Sequence, residues 1–305
     1  MTEQPLQSTS SANAIPLDFQ VVGYSKCGTT TLCSLLAEHP DIFMPASKEY
    51  RFFDLEHPQH RRDRYEARFW GIGAESCVGD GSVWYTDAEF EVRARRNLLS
   101  AHPDLRFIFI ARDPLARVES AFRESHHDQG QFDQDCPFEL AEAIQSVPGI
   151  WRDSRYGERL DNYRLHVPPE RLLLLALEEL NADPAGVLAR CFDFLGVATD
   201  VSIERAERQL NAGAEKYRDT PLMRELRGEP AMASALGRIP FETQQQFLPQ
   251  LGLREPFPAG ELAWDARAQA SFIAQIGDDP LRYLDAAGLP VSLWPRFKSL
   301  LETHS

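Results

Sequence analysis

The chain has 305 residues, 43% hydrophobic and 26% charged, enough to bury a large core in one α/β domain. Its 32 basic residues face 46 acidic ones, a formal charge of -14. That balance argues against a nucleic-acid or anionic-membrane surface and leaves room only for a local basic pocket.

In chain order, residues 1–16 are polar, contain neither Lys nor Arg, and read as a disordered tail rather than a signal or transit peptide. Residues 17–305 read as one domain. Asp18 to Gly23 is a short apolar run ending in a glycine turn, and a helix with Leu32, Leu35 and Leu36 on one face follows. A weaker strand lies between Ser76 and Tyr85. Leu105 to Ala111 is apolar on both faces, as a central strand of a parallel sheet requires. Asp113 then suits an N-cap and Pro114 a first helical residue, so a helix is predicted from Pro114 towards Ser125. Tyr156, Leu160 and Tyr163 share a helix face ahead of a strand over Arg171 to Leu177, and the helix over Asp183 to Val197 is stopped by Gly196. From about Ala198 strands are expected to disappear, leaving residues 198–305 as a mostly helical cap. This order implies an α/β, P-loop-type three-layer fold with a central, mainly parallel sheet, binding ligands at the carboxyl ends of its strands.

The longest pure apolar run, Leu172 to Leu177, is far below the roughly 20 residues of a membrane helix, so a soluble protein is expected. Five cysteines without a C-x-x-C pair argue against a metal cluster and fit reduced thiols in a cytoplasm.

The first strand leads into "VVGYSKCGTTTL". Gly23 and Gly28 have the spacing of a Walker A loop, yet Thr29 stands where its lysine belongs and the only lysine is Lys26. A strand-to-helix loop gathers backbone N–H groups and a positive dipole end for a phosphate. Gly28 permits close approach, Thr29, Thr30 and Thr31 add hydroxyl donors, and Cys27 is a small residue fitting a tight turn. An ordinary turn and N-cap is the competing account. The second candidate is "RDPLARVES": Arg112 leaves a strand end with a fork suited to phosphate, and Ser120 shares a helix face with Arg117. Arg117 itself reads as an ion-pair brace.

Taken in order, these segments resemble the sulfotransferases that use 3′-phosphoadenosine 5′-phosphosulfate (PAPS). "KCGTTTL" is similar to their 5′-phosphosulfate loop and "RDPLARVES" to their 3′-phosphate element. "KEYRFFD" (Lys48 to Asp54) resembles the K-E-x-x-F-F segment of the carbohydrate and heparan-type branch, and Ser154 to Leu180 its helix-strand-helix. The resemblance implies that Lys26 grips the oxygen bridging sulfuryl and phosphate or the oxygens adjacent to it, that Glu49 is the base for an acceptor hydroxyl, and that no metal is required. Asp113, in an apparent Walker B, becomes a helix cap. Lys48 contacts the donor or steadies Glu49, while Arg51, Ser82 and Trp84 are candidate acceptor contacts. Ser82 sits in "GDGSVWY", which departs from the family's G-E-x-[ST]-P-x-Y by Asp80 and Val83. Lys216 and Arg218 are candidates for a basic loop closing over the nucleotide, a solvated charged turn being the alternative. His126 and His127 are a rival base but read rather as a solvent-facing helix end, and Arg51, Arg61, Arg62, Arg64 and Arg68 are candidates to hold an acidic acceptor, an ion-paired helix face being the default reading.

The function implied is sulfuryl transfer to a hydroxyl of a glycan, glycolipid or small metabolite, leaving 3′-phosphoadenosine 5′-phosphate (PAP). Two rival readings are an ATP-dependent P-loop kinase, which needs a lysine after Gly28, and a nucleotide-binding module without catalysis.

Overall fold

A computed structural model describes residues 17–128, 136–203, 216–257, 260 and 262–304. Five strands, β1 (Phe19–Val21), β2 (Ile42–Phe43), β3 (Cys77–Gly81), β4 (Arg106–Ala111) and β5 (Leu172–Ala176), form one sheet in the order β2-β3-β1-β4-β5. Every neighbouring pair is parallel, with Val21 in register with Gly81 on one side and Ile108 on the other. Such a sheet needs crossover helices on both faces. These are α1 (Thr29–Leu36), the short α2 (Arg62–Glu66), α3 (Glu91–Ala101), α4 (Pro114–His127), α5 (Leu140–Ser146) and α6 (Tyr156–Arg164), with α7 (Leu177–Ala182) and α8 (Pro184–Leu195) following β5.

The two faces bury separate cores. On one, Phe19, Val21, Ile108 and Ile110 meet Leu32, Leu35 and Leu36 of α1 and Leu188 and Phe192 of α8. On the other, Phe107 and Phe109 meet Leu160 and Tyr163 of α6. The paired cores are what make the fold three-layered. Asp113 caps α4, its carboxylate accepting from the Leu115 and Ala116 amides at 2.9 and 3.2 Å, and Gly196 ends α8 in the left-handed conformation.

The expectation that strands vanish after Ala198 is corrected. β6 (Tyr217–Asp219) pairs antiparallel with β7 (Arg254–Pro256), around helices α9 (Pro221–Gly228), α10 (Pro230–Leu236) and α11 (Phe241–Gln250). Neither strand alternates polar and apolar residues. The pair is held by buried Asp219, which meets Arg254 at 3.0 Å and Arg227 at 2.5 Å, a long-range arrangement with no periodic signal. Helices α12 (Ala266–Ile276), α13 (Asp279–Ala287) and α14 (Pro295–His304) then pack back on the main core. Among the described residues no helix is long and apolar enough to cross a membrane.

Candidate active site

The β1–α1 corner is built by close approach and by positive φ. A side chain on Gly23 would stand 2.9 Å from the Ile110 amide nitrogen and the Phe109 Cα, so β4 leaves room for glycine alone. Gly28 caps α1 at φ 86° with no side-chain cap, and any Cβ there would meet Leu177 at 2.5 Å. The first turn of α1 therefore presents its amides and dipole to the end of the sheet. Lys26, a non-glycine residue at φ 66°, is held in a strained conformation that turns it into the same space.

That space is a cavity of about 520 Å³. Lys26, Thr29 and Thr30 line it from the loop, Lys48, Glu49, Val83 and Trp84 from the β3 side, and Arg117, Glu124 and Asp128 from α4 and its end. Lys48 joins the first two groups. Its ammonium donates to Thr29 Oγ1 at 2.9 Å and Thr30 Oγ1 at 3.2 Å, and meets Glu49 Oε1 at 3.0 Å. The other oxygen of Glu49 accepts from the Val83 amide at 3.0 Å and the Ser82 hydroxyl at 3.3 Å.

Glu49 is displayed on an irregular segment, with Glu49 at φ 62° and Arg51 at φ 54°. Side chains hold this segment in place. The Tyr85 hydroxyl accepts from the Phe52 and Phe53 amides at 3.3 Å each, and Asn97 donates to the Phe53 carbonyl at 2.8 Å. Arg51 pairs with buried Asp54 at 2.7 Å, and its guanidinium lies 4.0 Å from the Trp84 ring centre and 4.5 Å from that of Phe90. Arg51 thus braces Trp84 at the cavity edge and is itself absent from the lining.

Several candidates lie elsewhere. Cys27 is fully buried, donates its amide to the Tyr24 carbonyl, and meets the Tyr156 hydroxyl at 3.5 Å. Burial pushes its thiol up to about 12, against the opposing pull of the Tyr156 hydrogen bond, Arg117 and Arg112. Thr31 is half-buried outside the lining. Arg112 at the β4–α4 corner and Ser120 in the second turn of α4 are half-buried and do not line the cavity either. Lys216 reaches it indirectly, meeting Glu124 Oε2 at 2.5 Å while Lys26 takes Oε1 at 3.1 Å. Burial works against the Glu124 charge, but Lys216 and Lys26 outweigh it and hold the carboxyl below its usual range. Arg218 turns to Glu255 at 2.7 Å and lies over Phe257. Residues 211–215 of the stretch around them lie outside the described residues.

Two expectations change. His126 is fully buried against Phe122, Phe138 and Phe257, and half-buried His127 accepts from the Tyr217 amide, because the small β6–β7 sheet covers this helix end. Burial lowers His126 to about 4. The arginine cluster is no single ion-paired face: Arg62 pairs with Glu66, but Arg68 is drawn to buried Asp80 at 2.9 Å. Arg117 is the ion-pair brace expected of it, reaching between elements to Asp153 at 2.9 Å and to the Ser25 and Ile150 carbonyls at 3.2 and 2.5 Å.

Glu124 and Asp128 escaped the sequence reading. Their signal was present, since Arg117, Ala121, Glu124 and Asp128 recur at spacings of three and four on one face of α4. Among the described residues no group of three or more His, Cys, Asp or Glu is arranged to hold a metal ion, and the Asp113 carboxylate is committed to its cap.

Residues 16–221 match the family described as "Sulfotransferase domain". Heparan sulfate glucosamine 3-O-sulfotransferase 6 of Mus musculus is 28% identical over 181 residues, covering 58% of this chain and 51% of the relative. Heparan sulfate glucosamine 3-O-sulfotransferase 3B1 of Homo sapiens is 27% identical over 186 residues, 58% of this chain and 45% of the relative. The chain thus spans about half the length of these relatives. A sulfotransferase from Alicyclobacillus acidocaldarius shares the fold, with a TM-score of 0.60 at 22% identity over 93% of this chain and 100% of that one.

Proposed function

This chain belongs to the sulfotransferase domain family, and on that premise we propose that it transfers a sulfuryl group from PAPS to an acceptor hydroxyl of a glycan, glycolipid or small metabolite. The observation that carries the reading is the junction at Lys48, which ties the hydroxyls of the phosphate loop to the carboxylate of Glu49 inside one cavity.

The residues fit such a donor. The cradle at Gly28, the uncapped first turn of α1, the Thr29 and Thr30 hydroxyls and the Lys26 and Lys48 ammonium groups make a donor set suited to a phosphosulfate. Arg112 and Ser120 are the residues proposed for its 3′-phosphate. When bound, PAPS supplies a sulfuryl group whose 5′-phosphate departs. Lys26 contributes positive charge where negative charge develops, so its attraction is strongest in the transition state. Ser82 and the Val83 amide fix Glu49 Oε2, leaving Oε1 to take the acceptor's proton once Lys48 turns towards the donor. Strained, side-chain-braced backbone at Glu49 is the expense of holding that oxygen in position. Five free, buried cysteines support a reducing compartment such as the cytoplasm.

Transfer of label from PAPS to an acceptor panel tests the reading, with Glu49→Ala alongside. Label in an acceptor, lost in the variant, is the expected result. Transfer at the wild-type rate by Glu49→Ala would remove Glu49 from the chemistry.

A further inference from the structure

Once the donor's needs are subtracted, the charges that the described residues place around the cavity leave no cation for the acceptor. Among the described residues three cations line it, and each already faces a carboxylate that lines it too: Lys26 with Glu124 at 3.1 Å, Lys48 with Glu49 at 3.0 Å, Arg117 with Asp153 at 2.9 Å. Lys216, just behind the wall, is held by the same Glu124. Asp128 is a fourth lining carboxylate.

A phosphosulfate drawing on Lys26 and Lys48 makes this space more negative still, because Glu49 and Glu124 remain. Arg117 offers no relief, since it is 1% exposed and bound to the Ser25 and Ile150 carbonyls as well as to Asp153. The rest of the described lining beyond the loop is small or apolar: Val83, Trp84, Ala121, Val147 and Gly149, with Ser125 as its one hydroxyl. The volume, about 520 Å³, lies within the ordinary range of small-ligand sites and admits the donor's reacting end with roughly one ring-sized group.

We infer that the acceptor's reacting portion is a small alcohol without anionic groups, its body packed on Trp84 and Val83, rather than a sulfated or carboxylated sugar. The inference rests on the proposed sulfuryl transfer and narrows its substrate class. It separates this chain from the relatives whose names specify heparan sulfate. Placing an acceptor carboxylate or sulfate beside Glu49, Glu124 and Asp128 sets like charges together in a poorly solvated space, which is how an interface rejects a wrong partner.

The test uses the full chain with PAP bound, so that donor-site occupancy is established first by calorimetry. An alkyl glucoside and the matching alkyl glucuronide, which differ by a hydroxymethyl against a carboxylate, are titrated into it and compared as acceptors of label from PAPS, beside a heparan sulfate oligosaccharide. The glucoside is expected to bind and react at least about tenfold better than the glucuronide, with no binding of the oligosaccharide. Asp128→Lys, which adds a lining cation, should shift the ratio towards the glucuronide by about tenfold. Equal or better use of either anionic compound, failure of the glucoside to bind PAP-loaded protein, or an unchanged ratio in Asp128→Lys each overturns the inference. Failure of PAP itself to bind overturns the sulfotransferase reading instead, so the two failures are distinguishable.

Discussion

The corner after β1 and the segment Lys48 to Asp54 reach the same cavity by different means. The first is main-chain architecture: Gly23 lies against β4, Gly28 takes φ 86°, and α1 presents its first turn. The second has no regular structure and is pinned by side chains from elsewhere, with Tyr85 on the Phe52 and Phe53 amides, Asn97 on the Phe53 carbonyl, and Arg51 between Trp84, Phe90 and Asp54. Donor recognition should therefore survive loss of the Glu49 carboxylate, a change that abolishes chemistry. Substitutions from Glu49 onward, which leave the donor-facing Lys48 in place, should separate turnover from donor binding.

The largest separation is expected at Glu49. Glu49→Ala removes the proposed base and should lower kcat by roughly 10²–10⁴ while PAP affinity stays at the wild-type value, read by single-turnover label transfer and calorimetry. Lys26→Ala should cost about 10²–10³ in kcat/KM and weaken PAP as well, since this lysine belongs to the corner. Comparable PAP affinities in both variants would erase the contrast between the regions.

A smaller effect is expected one residue past Tyr50. Arg51→Ala leaves Asp54 without its ion pair and Trp84 without its brace. A kcat loss of about tenfold with unchanged donor KM is expected, together with about 1–2 kcal/mol less stability once partial exposure of Arg51 is discounted. Arg51→Lys should restore part of the stability and less of the turnover, because a lysine lacks the planar fork and stacking face. Equal rescue of both would make the residue merely structural.

The smallest effect on turnover belongs to neither region. His126 is lowered to about 4 chiefly by burial, with Arg218, Arg224 and Arg254 adding to the effect against a backbone hydrogen bond at Pro137. The unfolded chain takes up this proton near pH 6.5, well before the folded one does, so stability is lost as pH falls from about 6.5 to about 4. The full window corresponds to at most about 3 kcal/mol. His126→Phe, placed among Phe122, Phe138 and Phe257, should flatten the fall of Tm across that window and leave transfer near neutral pH unchanged. An unaltered acid profile would show that other groups govern it.

The same contrast explains what the amino-acid sequence made legible. Leu105 to Ala111 and the Asp113-Pro114 pair announce a central strand and a capped helix because burial on both faces and helix capping are local rules, and the structure agrees. The Lys48 to Asp54 segment was found only through family resemblance, since no periodicity encodes two left-handed non-glycine residues. The β6–β7 pair was missed because a buried Arg254–Asp219 contact joins strands 35 residues apart, a distance no window of alternating residues spans. Burial of His126 followed from that omission. Glu124 was readable on its helix face, but its link to Lys26 and Lys216 exists only in three dimensions.

Calorimetric binding of PAP, set against ATP with magnesium and repeated with Arg112→Ala, tests the central claim most directly. Tight binding of PAP, weak binding of ATP with magnesium, and loss of PAP affinity when Arg112 is removed are the expected results. A preference for ATP with magnesium, or PAP binding that does not depend on Arg112, would contradict it.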